Sequence, residues 1–335
     1  MSELNNIAIK ILENGKGILA ADESTVTMTK RLESVKIPST PENRLLFRET
    51  LFSASGMTEC IGGVILYDET IRQESSKKNK IPELISNMGS MPGIKVDIGA
   101  KVLAGSENEK ITEGLDGLRE RLKEYYKLGA KFTKWRGVYN ISENYPSKLS
   151  IHSNAHALAR YSALVQECNM VPIVEPEVLM DGDHSANECF KKTSEVIKKC
   201  FEELILHRID LKGIILKPNM ILAGNKSKDK ITSEEVAKLT LECLKSSVPS
   251  EVPGIAFLSG GQSEIEATEN LNLINKLNDT DFIMSYSYGR DLQQSALKFW
   301  SKDIKDLEGT QKIFNHRAKM NTLAAQAKWS KEFEI

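Results

Sequence analysis

The chain of 335 residues carries 45 basic and 46 acidic side chains, a formal charge of −1, so it offers no bulk attraction to nucleic acid or to an anionic membrane. Its 40% hydrophobic and 27% charged content is that of a globular protein with a large core; no apolar run is long enough to span a bilayer, and residues 1–17 lack the apolar stretch of a secretory leader. The five cysteines (Cys60, Cys168, Cys189, Cys200, Cys243) are scattered with no C-x-x-C pair, which argues against a disulfide framework or zinc knuckle and for a reducing, cytoplasmic setting.

The first predicted strand is 17–22 (GILAAD), short, apolar and closed by an acid. Strands at 61–68 (IGGVILYD) and 93–99 (GIKVDIG) follow, then an amphipathic helix over 114–128. From there the chain alternates: strand 130–138 (AKFTKWRGV), helix 150–168, strand 171–178 (VPIVEPEV), helix 186–207, strand 212–218 (KGIILKP), helix 233–246. Strand 254–261 (GIAFLSGG), helix 263–277 and strand 281–289 (DFIMSYSYG) complete the series, and an amphipathic segment over 307–328 is expected to pack outside it. Near-continuous apolar strands separated by helices indicate a parallel sheet covered by helices. Eight such units, in a chain somewhat longer than the ~250 residues typical of the class, predict an α/β protein: a single (β/α)8 TIM barrel with N- and C-terminal helical additions, one domain spanning 1–335. A doubly wound open sheet is the rival, but it would place a glycine-rich phosphate loop after the first strand, and GILAADEST has none. NGKG at 14–17 precedes that strand, so it is no phosphate loop either. The polar stretch 224–230 (GNKSKDK) reads as the loop between strand six and its helix, not as a linker between domains.

Side chains two apart on a strand share a face. Lys95 and Asp97, Lys134 and Arg136, and Glu175 and Glu177 are such pairs; Lys217 closes the apolar run GIIL, and Asp22 closes the first strand. One charged pair at a strand end is ordinarily a solvated rim. Charges at corresponding ends of five strands point elsewhere, because in a barrel those ends converge on one mouth, where active sites sit. With Arg31 and Arg290 added, cations outnumber anions, which suits a small anionic substrate. A lysine amine among cations and partly out of water is available as a nucleophile. Lys217 takes that place, with Lys134 as the neighbouring cation, Glu175 and Glu177 as proton shuttles and Asp22 as base toward a substrate hydroxyl. Ser259-Gly260-Gly261 follows strand seven and Ser287-Tyr288-Gly289-Arg290 follows strand eight, the two loops with which such barrels hold phosphate.

These segments resemble the class I fructose-1,6-bisphosphate aldolases. The resemblance is carried by GKGILAADEST (15–25), GIKVD (93–97), AGS (104–106), EGLDGLRER (113–121), KWR (134–136), ARYS (159–162), VPIVEPEVLMDGDH (171–184), LKPNM (216–220), FLSGGQSE (257–264) and SYGRDLQ (287–293), in family order. It implies a metal-independent, cofactor-free lyase, commonly a homotetramer, that cleaves a sugar phosphate through a lysine Schiff base. By that resemblance Lys217 is the Schiff-base lysine, Glu175 the acid/base of carbinolamine formation and dehydration, and Glu177 its partner near the lysine. Lys134 is the activating cation and Asp22 the base at the C4 hydroxyl. Ser259, Gly260, Gly261, Ser287, Gly289 and Arg290 match one phosphate site; Ser24, Thr27, Arg31, Lys95 and Arg136 match residues around the other. Val26, Thr27 and Ile98 depart from the common pattern. No tyrosine follows Tyr288, so the C-terminal tyrosine that serves vertebrate-type members in proton transfer at dihydroxyacetone phosphate C3 has no counterpart. Glu175 is expected to take over that step.

Other signals are weaker. His152 and His156 stand four apart on a predicted helix, but with no third ligand in view they read as an ordinary helix-surface pair. His184 in DGDH reads as ordering its loop, and Ser24-Thr25 lacks a nucleophile elbow. Two other functions compete. A transaldolase-like Schiff-base barrel would differ in refusing a bisphosphorylated ketose. A catalytically dead barrel used as a binding partner is opposed by a competent residue type at every chemical position.

Overall fold

The structure, a computed structural model, describes residues 2–334. Eight parallel strands follow one another around a closed barrel: β1 (Gly17–Ala21), β2 (Ile61–Leu66), β3 (Met91–Lys95), β4 (Phe132–Tyr139), β5 (Val171–Val178), β6 (Ile215–Leu216), β7 (Gly254–Phe257) and β8 (Ile283–Tyr288). Closure comes from β8 pairing with β1, Ile18 opposite Ser287 and Leu19 opposite Tyr288. The predicted (β/α)8 architecture is therefore the observed one.

The helices that matter for the site are α1 (Glu3–Leu12), α2 (Thr25–Ser34), α3 (Lys148–Glu167), α4 (Ala186–Leu206), α5 (Arg290–Trp300) and α6 (Leu307–Ala325). Their starts are written locally. Ser2 caps α1 by accepting from Asn5 N–H at 3.2 Å, and Ser185 with Glu188 forms a reciprocal capping box at the head of α4. The same S/T-x-x-E box opens the helices Ser233–Ser247 and Glu264–Leu277.

Two apolar layers result. Outward-facing strand residues meet the helix ring in the larger cluster. Inside the barrel, Ile18, Ile65, Phe132, Val171, Ile173, Ile215 and Ala256 pack with Ala8, Ile11 and Leu12 of α1. Most of these lie at strand starts, so α1 plugs the N-terminal end of the barrel and leaves the other end open. The plug fits because Gly62 has no side chain: a Cβ there would lie 1.9 Å from the Ile11 carbonyl oxygen. Each aliphatic side chain buried this way contributes about 1.5–3 kcal/mol.

Several boundaries differ from the sequence reading. β6 contracts to two residues, because a 3-10 turn over Leu211–Gly213 leads into it and Pro218 beyond it has no N–H for the ladder. The strand expected over 93–99 begins at Met91 and ends at Lys95; the chain then forms an antiparallel hairpin, Ala100–Val102 with Lys110–Thr112, too short and too exposed to leave a periodic signal. The helix expected from 114 starts at Leu118, after Gly117 in a left-handed conformation (φ 66°). The segment 307–328 forms α6, which packs on α5 and on the helix Glu264–Leu277.

Candidate active site

Period-two alternation carries the inner face of each strand from apolar to charged as it approaches the open end. β4 presents Phe132, then Lys134 and Arg136; β5 presents Val171 and Ile173, then Glu175 and Glu177; β6 presents Ile215, then Lys217 beyond its end; β1 presents Ile18 and Ala20, then Asp22. Register sets neighbours beside one another: Lys134 opposite Lys95, Arg136 opposite Glu175, Val138 opposite Glu177. The charges line a cavity of about 1150 Å³ at the barrel mouth, and every residue predicted for the site is part of its lining.

Four of them form one chain of contacts. Glu175 Oε1 lies 3.0 Å from Lys217 Nζ, Glu175 Oε2 lies 3.4 Å from Lys134 Nζ, and Lys134 Nζ lies 2.7 Å from Asp22 Oδ2. All are nearly excluded from solvent. Burial pushes the Asp22 carboxyl up, but Lys134 and Lys217 outweigh it and bring the pKa from 3.8 down to about 2. Burial likewise opposes ionised Glu175, and Lys134, Lys217 and Arg136 hold it below the usual carboxylate value. For Lys134 burial disfavours the cation, yet Asp22 and Glu175 keep it well above the ordinary lysine value. The resting site thus holds a fixed cation between two fixed anions. The sequence reading set Lys134 close to Lys217; in the structure the two amines share the Glu175 carboxylate. Glu177, expected near the lysine, lines the same cavity and pairs with Arg136 Nε.

The predicted phosphate residues fall on two sides. On one, Gly260 and Gly261 adopt successive left-handed conformations (φ 57° and 85°), which glycine alone takes without strain. Such a turn presents consecutive backbone N–H groups to an anion. α5 begins at Arg290 with Gly289 as its cap, adding the positive end of a helix dipole. Arg290 Nη2 donates to the Gln262 carbonyl at 3.0 Å and so ties the two loops together. Ser287 contributes a buried hydroxyl without a protein partner. On the other side Ser24 accepts from Thr27 N–H at 3.3 Å at the head of α2, Arg31 on the same helix pairs with Glu23, and Lys95 Nζ lies 2.8 Å from Asp97 Oδ1.

A family model for class-I fructose-bisphosphate aldolase matches residues 3–334. The chain belongs to that family. Among its relatives is a probable class 1 fructose-bisphosphate aldolase of Xanthomonas campestris, 48% identical over 98% of this chain and 99% of the relative. A cytosolic fructose-bisphosphate aldolase of Arabidopsis thaliana is 47% identical over 92% of this chain and 87% of its own. A solved fructose-bisphosphate aldolase of Plasmodium falciparum, crystallised with TRAP and a small-molecule inhibitor, superposes with a TM-score of 0.96 at 44% identity, covering 98% of this chain and 95% of that one.

Five acids that line this aldolase-family mouth, Glu23, Asp68, Asp97, Asp181 and Asp291, were not among the predicted site residues, and three of them hold its predicted cations. Glu23 is a buried hub: it pairs with Arg31, its carbonyl accepts from Arg48 Nη2 at 2.8 Å, and its carboxylate accepts from Gln293 Nε2 at 2.9 Å. Gln293 also donates to the carbonyls of Ala20 at 3.0 Å and Gly289 at 3.1 Å, so one network fastens β1, α2 and α5 together. Asp291 accepts from the Ser259 hydroxyl and lies 3.4 Å from Arg290 Nη2. Asp97 holds Lys95. The only sequence signal for Glu23 and Asp291 was adjacency to a predicted site residue. His184 is buried but absent from the cavity lining; its backbone carbonyl accepts from Gly224 N–H at 2.9 Å, while neither ring nitrogen has a hydrogen-bond partner among the described residues.

Proposed function

We propose that this aldolase-family chain reversibly cleaves fructose 1,6-bisphosphate to dihydroxyacetone phosphate and glyceraldehyde 3-phosphate through a Schiff base on Lys217. The observation that carries the reading is the Lys217 amine, 3.0 Å from the Glu175 carboxylate at the mouth of the barrel. Glu175 takes a proton from the Lys217 ammonium; attack of the resulting neutral amine on the ketone C2 forms the C–N bond, and Glu175 gives that proton to the new alkoxide, leaving a carbinolamine protonated on nitrogen. Glu175 then takes the nitrogen's proton and passes it to the carbinolamine hydroxyl, which leaves as water and leaves the protonated Schiff base. Ionised Asp22, close by through Lys134, takes the C4 hydroxyl proton; the C3–C4 bond breaks, glyceraldehyde 3-phosphate leaves, and the electrons are held as an enamine conjugated to Lys217. The proton taken by Asp22 passes through Lys134 to Glu175, which delivers it to C3, and hydrolysis by the reverse of the first steps frees dihydroxyacetone phosphate. Lys134 stabilises the anions around it throughout.

The two anionic-ligand sides of the mouth match the two phosphates of the substrate. Ser259, Gly260, Gly261, Ser287, Gly289 and Arg290 grip one; Ser24, Thr27, Arg31, Lys95 and Arg136 surround the other. Arg290→Ala is expected to raise KM for fructose 1,6-bisphosphate at least about tenfold with a smaller fall in kcat, since it removes an interaction made equally in ground and transition states. An unchanged KM would remove Arg290 from the phosphate site.

The whole span 1–335 acts as one catalytic unit in this reading, assembled as a homo-oligomer, a tetramer, in the cytosol. Support for the setting is that no helix among the described residues is long and apolar enough to cross a membrane and that the plant relative is named cytosolic. Support for the tetramer is family resemblance alone, and sedimentation equilibrium measures it directly. Because all the chemistry is assigned to side chains, cleavage of fructose 1,6-bisphosphate should proceed undiminished in EDTA. Activity lost to EDTA and restored by zinc would overturn the Schiff-base reading in favour of a metal-dependent one. Refusal of the bisphosphate with turnover of a monophosphorylated ketose would favour the transaldolase-like alternative.

A further inference from the structure

We infer that His156, Glu203 and His207 form a binding site for a divalent transition-metal ion of the zinc class, bridging α3 and the C-terminal end of α4 outside the barrel mouth. One ring nitrogen from each histidine and one carboxylate oxygen of Glu203 lie within 4.8 Å of one another. Metal–nitrogen bonds of about 2.0–2.1 Å put the donors of a tetrahedral site roughly 3.4 Å apart. The remaining contraction is small, and His156 and His207 are only partly buried, so their rings are free to make it.

The partners around these groups already resemble those of a metal site. His207 Nδ1 lies 2.8 Å from the Glu203 carbonyl oxygen. A carbonyl only accepts, so the hydrogen is on Nδ1 and the lone pair is on Nε2. Ligating histidines are commonly fixed in this way, with the second nitrogen donating to a backbone carbonyl. Glu203 is almost fully buried although it lies next to the end of its helix, and three of the chain's five histidines gather near it. His152 Nδ1 is 3.3 Å from Oε1 and His156 Nδ1 is 3.3 Å from Oε2; the His156 and His207 rings are 5.0 Å apart. Two imidazoles and one carboxylate suit Zn2+, Co2+, Ni2+ or Cu2+ better than Mg2+ or Ca2+. His152 or water completes the coordination. The present occupant of the carboxylate is Lys199, whose Nζ is 3.0 Å from Oε1; Glu202, 3.2 Å from the same nitrogen, offers it another partner when the metal enters. Sequence spacing showed only the His152 and His156 pair, because Glu203 and His207 come from the neighbouring helix and its C-terminal cap. None of the four lines the mouth cavity, so the site is separate from the proposed chemistry.

The test is titration of the EDTA-stripped, full-length protein with Co2+, followed by its visible absorption, and with Zn2+, followed by calorimetry. Saturable binding of one ion per chain is expected, together with a Zn2+-dependent rise in Tm, since the ion joins two helices. His156→Ala and His207→Ala, each on a ring exposed enough to leave folding intact, should weaken binding at least about tenfold and remove the rise in Tm. Lys199→Met should tighten binding by freeing the carboxylate. No saturable binding by the wild-type protein, or unchanged affinity in the His156→Ala, His207→Ala double variant, overturns the site. Unchanged affinity in Lys199→Met removes Glu203 from it and overturns the three-donor arrangement.

Discussion

Lys217→Met is expected to lower the rate of fructose 1,6-bisphosphate cleavage by roughly 10⁵-fold or more, the scale of loss when a covalent nucleophile is removed. In the wild-type protein, borohydride added with dihydroxyacetone phosphate should inactivate the enzyme and leave a reduced, stable adduct. Peptide mass spectrometry should place that adduct on Lys217. Methionine approximates the length of the lysine stem, so the variant keeps the shape of the site while losing its amine; because the amine is also a partner of buried Glu175, a stability loss of about 3–5 kcal/mol accompanies the change and is measured separately from the rate. In the proposed reaction Lys217 exchanges its protons with Glu175. Its Oε1 is 3.0 Å from Lys217 Nζ, close enough to take the proton released as the carbinolamine forms and to return it to the leaving hydroxyl. No other lysine of the mouth has this relation to a free-moving proton. Lys134 is held as a cation by Asp22 and Glu175, and Lys95 is turned to Asp97. An adduct found on Lys134 or Lys95, or full activity after borohydride and substrate, would defeat the assignment.

How far the sequence alone could reach is visible residue by residue. The barrel was legible because buried parallel strands are near-continuous apolar runs, and the mouth was legible because those runs turn charged at one end. Lys217 after GIIL and Glu175 after VPIV stand out for that reason alone. What could not be read was which charge meets which. The family resemblance implied Glu177 near Lys217; the register sets it opposite Val138, and its side chain reaches diagonally to Arg136. The Glu23 hub was invisible because its partners Arg48 and Gln293 lie 25 and 270 residues away along the chain. The plugging of the barrel by α1 was equally hidden, since an amphipathic helix does not state which surface it covers. Glu203 lies in the last turn of α4 and His207 caps its C-terminus, yet only the packing of α3 against α4 brings His156 to them.

Lys134→Met should have the second large effect, and its pH dependence separates a catalytic cation from a merely structural one. Removal leaves Asp22 and Glu175 buried with only Lys217 and more distant cations to balance them. Taking one partner from a buried charge network costs about 3–5 kcal/mol of stability, and the loss of a positioned charge in proton transfer should lower kcat/KM by about 10²–10⁴. The wild-type Asp22 carboxyl, brought from 3.8 to about 2, contributes stability that is present above pH 3.8 and lost as pH falls toward 2. Without Lys134, burial is opposed mainly by Lys217, so the carboxyl must rise. Asp22 then takes up its proton at higher pH, and a protonated Asp22 cannot accept from the C4 hydroxyl. The acid limb of the kcat/KM profile should therefore move to higher pH in the variant. The stability gap between variant and wild type should be widest at neutral pH and should close as pH falls from the variant's raised Asp22 pKa toward the wild-type value of about 2, because an Asp22 neutral in both proteins no longer needs the cation. A variant that is less stable and slower by a constant factor at every pH would show Lys134 to be packing alone. A shifted acid limb ties the same ammonium to the charge state of the base that opens the C3–C4 bond.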